Sequence, residues 1–269
     1  MYAEGTDGRG RAPRGRRAAA VIALLLGLAG FAVSAFGVAV QLLPRHFTAA
    51  QQRQIEAWEV IRRWQTMPAG QIFPASVPYQ LSAATLRDTA PLQLNAYRVS
   101  IAPQAPDCAK AVTSAAAGAV LHRNGCLTVL RATYVDATRS YVMTVGVAVL
   151  PNVAAAVSAD SGLTTSRLAA ARAAGQGGRL AAGVLAVRFG SAAGHLYDYN
   201  RQIAKSFTAG PYVVMYAAGY SDSRPRVRVA DDRYAEDEMT TMALGVARTV
   251  ARTLAASPPP PRCPGTPGC

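Results

Sequence analysis

The sequence predicts an α+β fold. An N-terminal transmembrane helix precedes an extracytoplasmic domain of two tandem β-α-β-β-α units, with helices packed on about six mainly antiparallel strands. Three observations carry that expectation. Residues 18–43 contain no charged side chain. Downstream, an alternating run at 92–101 and short runs rich in Val, Thr and Tyr mingle with Ala-rich helical stretches. The order of those elements then recurs in the second half of the chain.

The elements follow in order. Residues 1–17 carry Arg9, Arg11, Arg14, Arg16 and Arg17 against Glu4 and Asp7, a basic arm of net charge +3. Residues 18–43 are long enough for a bilayer core of about 30 Å, which takes roughly 20 apolar residues. Only Arg45 and Arg53 follow before residue 60, so positive charge places the N-terminus in the cytoplasm and the rest outside. A cleavable signal peptide with a Gly37-Val38-Ala39 site is the rival reading, but its apolar region is normally about 7–15 residues. Gly30 and Ser34 form a small-xxx-small pair through which two anchors could pack as a homodimer.

Residues 44–90 are expected to hold a juxtamembrane helix and a linker. Ile55, Trp58, Ile61 and Trp64 recur every three residues in the helix at 47–67, a stripe for lipid or for the domain. The linker GQIFPASVPYQL carries two prolines. The outer α+β domain spans 91–256, as pseudo-repeats at about 91–175 and 183–256. In the first, 92–101 is a strand, 107–122 a helix, 126–134 and 141–150 two strands around a turn at 136–139, and 153–174 a helix broken near 160–162. In the second, 183–189 is a strand, 196–207 a helix, 212–220 and 226–229 two strands, and 232–256 a long helix. Ala132-Thr133-Tyr134-Val135-Asp136 matches Ala218-Gly219-Tyr220-Ser221-Asp222. The Asp of each Y-x-D is expected to hold its turn through a side-chain bond to the backbone. Residues 257–269 form a Pro-rich tail, in which Pro258 to Pro261 impose an extended conformation.

Charge and cysteine usage narrow the function classes. The chain carries 28 basic and 15 acidic residues, a net charge of +13, and only Lys110 and Lys205 among the bases are lysine. The arm accounts for +3 and the outer part for the remaining +10. Hydrophobic residues at 51% exclude a disordered chain, and four cysteines exclude a disulfide-dense mini-protein. All four lie beyond the anchor, and local pairing predicts Cys108–Cys126 and Cys263–Cys269 disulfides in an oxidising compartment.

Catalytic signatures are missing from the sequence. The three histidines, His46, His122 and His195, stand in no H-E-x-x-H pattern, and neither G-x-S-x-G nor S-x-x-K occurs. The cysteine spacing matches no zinc signature, and the acids at 231–238 lack the calcium-loop pattern. No enzyme activity, metal or cofactor is therefore expected. One candidate ligand surface stands out: Arg224, Arg226 and Arg228 alternate along a strand as a basic ridge for an anionic envelope polymer. The same charges would equally guard an edge strand against aggregation.

With its Arg-rich arm, its Ala/Leu/Val anchor and an Ala-rich outer domain of few cysteines, the chain resembles uncharacterised single-pass membrane proteins of actinobacteria. The resemblance is one of layout and composition, and it transfers no functional residue. The expected function is a membrane-anchored extracytoplasmic binding or scaffold protein in an envelope complex. Its expected partners are membrane lipid and an envelope protein, not nucleic acid. A small-molecule or lipid-binding domain with a pocket between the two halves is the second reading, and an envelope hydrolase the third.

Overall fold

A computed structural model describes residues 48–82, 90–174, 183–187, 198, 201–222, 224 and 233–257. The basic arm, the membrane segment at 18–43, the strand expected at 226–229, the connector at 175–182 and tail residues 258–269 lie outside them. Among the described residues no helix is long and apolar enough to cross a membrane.

The chain enters through helix α1 (Ala49–Thr66). Thr48 and Gln51 close its first turn reciprocally: Gln51 N donates to Thr48 Oγ1 at 3.3 Å, and Thr48 N to Gln51 Oε1 at 3.0 Å. The three-residue stripe does not stay on one face, because each step of three advances 300° and drifts by 60°. Val60, Trp64 and Met67 pack on the core, whereas Trp58 is 56% exposed with the Arg62 guanidinium 4.7 Å over its ring.

After the short helix α2 (Ala69–Ile72), the expected linker instead forms an edge strand, β1 (Ser76–Leu81). Its Val77, Tyr79 and Leu81 are buried in alternation, and Pro78 is tolerated because only one side of the strand pairs. Strand β2 (Leu92–Ala105) is followed by a 3-10 turn (Cys108–Ala111) and helix α3 (Ala115–Arg123), whose N-cap Ser114 accepts from Ala117 N at 3.1 Å. Strands β3 (Thr128–Asp136) and β4 (Tyr141–Val149) form the expected hairpin.

Helix α4 (Val153–Ala174) runs without the expected break at 160–162. Gly162 serves instead for close approach: a Cβ there would lie 2.8 Å from Val120 Cγ1 of α3. A disulfide joins Cys108 to Cys126 as predicted, with Cα atoms 6.4 Å apart. The Cys263–Cys269 pair lies outside the described residues.

The second half departs from the predicted repeat. Residues 203–207, expected in a helix, belong to strand β5 (Ile203–Ala209), which pairs along its length with β6 (Tyr212–Tyr220). Gly210, at φ +59, supplies the left-handed residue of the tight turn between them. Of the strand expected at 183–189, the described residues 183–187 make a single bridge, Val184 to Val112. Residues 183–187 lie instead as a strap across the sheet. There Arg131 Nη1 donates to Leu185 O at 3.1 Å, and Val187 N to Thr133 Oγ1 at 3.1 Å. Gly146 makes room for the strap, since a Cβ there would lie 2.5 Å from Val184 Cγ2. The long last helix, α5 (Arg233–Ala255), is as expected.

The six strands form one antiparallel sheet in the order β1-β2-β3-β4-β6-β5. Side-chain alternation gives it two buried faces. Leu130 and Tyr134 of β3, Met143 and Val145 of β4 and Val214 and Tyr216 of β6 pack on the Met239, Met242, Val246 and Val250 face of α5. The opposite parity, including Val129, Ala148, Val213 and Met215, meets α3, α4 and Val184. Helices on both faces explain why β4 and β6 are almost continuously buried. These elements all fall within one compact unit, Arg53–Pro258.

Candidate functional site

Both Y-x-D sequences end beside each other, because β4 and β6 pair with Tyr141 opposite Tyr220. Asp136 is 2% exposed and organises the β3–β4 turn. Its Oδ2 accepts from Thr138 N at 3.0 Å and from the Thr138 hydroxyl, while its Oδ1 accepts from Tyr141 N at 2.7 Å. The turn leaves Arg139 at φ 58, exposed to solvent. Asp222 makes the corresponding turn after β6, where its Oδ1 accepts from Arg224 N at 3.1 Å. Each Asp thus accepts from the amide two residues on, as its sequence context predicts. Ser221 ties the two turns together: its amide donates to Ser140 O at 2.9 Å and its hydroxyl to Arg139 O.

A cleft of about 530 Å³ opens at this end of the sheet. The β3–β4 turn supplies Arg139, Ser140 and Tyr141, the end of β6 supplies Tyr220, Ser221, Asp222 and Arg224, and the first turns of α5 supply Tyr234, Ala235 and Glu238. The Tyr141 and Tyr220 rings are tilted by 50° with centroids 5.8 Å apart. The Arg224 guanidinium lies 4.5 Å over Tyr220, and its Nε donates to Asp222 Oδ2 at 2.7 Å. Those hydrogen bonds hold the Asp222 carboxyl below its ordinary range. Aromatic faces, hydroxyls, a carboxylate and an exposed guanidinium therefore converge from three separate segments, an arrangement suited to holding a polar ligand.

Glu238 is the acid of the cleft whose pKa is raised. Partial burial, and then the charge of Asp136, raise its pKa above the ordinary value of 4.5, while a hydrogen bond from Tyr141 acts the other way. Folded Glu238 thus keeps its proton to higher pH than unfolded Glu238. Its contribution to stability is fully present below pH 4.5 and is lost as pH rises through the raised folded value. Glu238→Gln is expected to flatten that loss. Denaturant unfolding across the acidic range measures it, and identical pH profiles for the two proteins would refute the assignment. Nearby, the Tyr79 hydroxyl is buried and, among the described residues, makes no hydrogen bond. Desolvation, reinforced by Glu238 and Asp136, pushes its phenol up.

Of the predicted basic ridge, Arg224 lines the cleft, whereas Arg226 and Arg228 lie outside the described residues. Arg224 sits just past β6, folded over Tyr220 and bonded to Asp222. Sequence reasoning missed Arg139, Tyr141, Tyr234 and Glu238. The Tyr141–Tyr220 pairing depends on the β4–β6 register, which no local pattern reveals. Among the described residues no group of three or more His, Cys, Asp and Glu gathers to hold a metal ion. No protein-family model, curated protein or solved structure matches the chain.

Proposed function

We propose that the chain is a membrane-anchored extracytoplasmic binding protein, a non-catalytic scaffold in an envelope complex, with the hairpin-end cleft as its recognition site. The convergence of three segments on that cleft carries the reading, because Arg139, Arg224 and Tyr234 meet solvent there while both faces of the sheet are filled. The apolar segment at 18–43 supports the anchor, and the Cys108–Cys126 disulfide favours an oxidising exterior. A second reading, a small-molecule-binding domain, has one observation in its favour. The cleft joins residues of the first half (Arg139, Tyr141) to residues of the second (Tyr220, Tyr234), which is where a pocket between the halves would fall.

A photoreactive residue in place of Ser221, in the full chain in native membranes, tests the proposal. The expected result is a discrete protein or envelope-polymer adduct that Arg139→Glu abolishes. Only self-adducts and lipid adducts would overturn the scaffold reading, and a small-molecule adduct would establish the second.

A further inference from the structure

Strand β5 is the last in the sheet order and is bonded on one side only, to β6. No strand pairs with its outer edge among the described residues. An unpaired edge presents a row of backbone donors and acceptors to any extended chain.

The last residues of β5, 207–209, form one wall of an open groove of about 560 Å³, and the last turns of α5 form the other. Phe207, Ala209, Ala251 and Ala255 give it an apolar lining. Arg248 and Arg252 stand exposed on the helix wall, and neither forms an ion pair among the described residues. Among the described residues no acidic side chain lines the groove. The C-terminal end of a helix normally carries partial negative charge, which would oppose an anion. Here Arg63 meets that end, donating to Thr253 O at 3.3 Å, to Leu254 O at 3.1 Å and to Ala256 O. The two groove arginines are left to act on whatever enters.

We infer that this groove takes an extended, acidic segment of a partner protein, added as a further strand on the outer edge of β5. A groove between an edge strand and a helix combines main-chain bonding to the strand with side-chain selection by the helix. The charge selects the segment. Arg248 and Arg252 are one helical turn apart, about 6 Å along the axis. Side chains on one face of a strand recur every 6–7 Å or so, so alternate carboxylates have a matching repeat. Apolar residues of the same segment cover Phe207 and the alanines. This inference supplies a protein partner for the scaffold reading but does not use the cleft.

The test uses the full chain in uncharged detergent and a degenerate pool of seven-residue peptides, the length of β5, alternating Asp or Glu with apolar residues. The readout is hydrogen exchange at the β5 amides. The acidic pool is expected to slow exchange there by at least about tenfold. A pool with lysine in place of the acids, or one N-methylated at alternate residues, is expected to give no protection. Arg248→Gln with Arg252→Gln is expected to abolish the effect, and the lysine pair at those positions to restore part of it. Unchanged β5 exchange with the acidic pool would overturn the inference, as would protection that survives N-methylation. Protection by phosphatidylglycerol micelles but not by the acidic pool would assign the groove to anionic lipid instead. Arg139→Glu is expected to leave β5 protection intact, so failure of the cleft reading and failure of this inference are distinguishable.

Discussion

Replacing Asp136 with alanine is expected to destabilise the fold by about 3 kcal/mol, because it removes the acceptor that two backbone amides share. Thr138 N and Tyr141 N both donate to this carboxylate, whose side chain is almost fully enclosed. The loss would not stay local. The turn sets Arg139 and Tyr141 on one wall of the cleft, and Ser221 bonds to its backbone from the other wall. Asp136→Asn keeps an acceptor for one amide and is expected to cost about half as much. Denaturant midpoints rank the three proteins, and an alanine variant as stable as the parent would refute the role. The asparagine variant offers a second readout. Removing the Asp136 charge is expected to lower the Glu238 pKa, since that charge helps to raise it.

Removing the Cys108–Cys126 disulfide is expected to cost a similar amount, about 3 kcal/mol in the chain-entropy account of an 18-residue loop. The bond ties the 3-10 turn to the approach of β3, on either side of α3. Cys108 is itself 5% exposed, in the core cluster beneath α3 and α4. The serine double variant is therefore expected to unfold roughly 10 °C below the parent. An unchanged melting temperature in the oxidised protein would show that packing alone holds this corner. The reduced parent is expected to match the double variant, which separates loss of the bond from loss of a buried sulfur.

The first half was legible because its signals are local. Runs rich in Val, Thr and Tyr at 126–134 and 141–150 mark two strands, and Asp136 marks the turn between them. The disulfide followed from choosing the nearer pair of cysteines. The helix at 232–256 was equally plain, with Met239, Met242, Val246 and Val250 on one face and arginines near its end. The α+β class and a sheet of about six antiparallel strands stand as expected. The segment at 203–207 was misread, because Ile203 and Phe207 are four residues apart and suit one helix face as well as alternate positions on a strand. The Gly210-Pro211 turn and pairing with β6 decide for the strand. Likewise the two prolines of GQIFPASVPYQL suggested a linker, although an edge strand tolerates Pro78.

By itself, then, the sequence determined the class of the fold, most elements of its first half, the Asp136 turn and the Cys108–Cys126 bond. Each rests on spacing within a few residues or on the choice of a near neighbour. Only the tertiary structure decided that β4 and β6 lie side by side and that residues 183–187 cross the sheet as a strap. It alone placed Tyr141, Tyr220, Tyr234 and Glu238 around one cleft and left the outer edge of β5 beside two arginines. Those arrangements depend on pairing between segments far apart in the chain. Periodicity shows which face of a segment is buried, but not which segment comes to cover it.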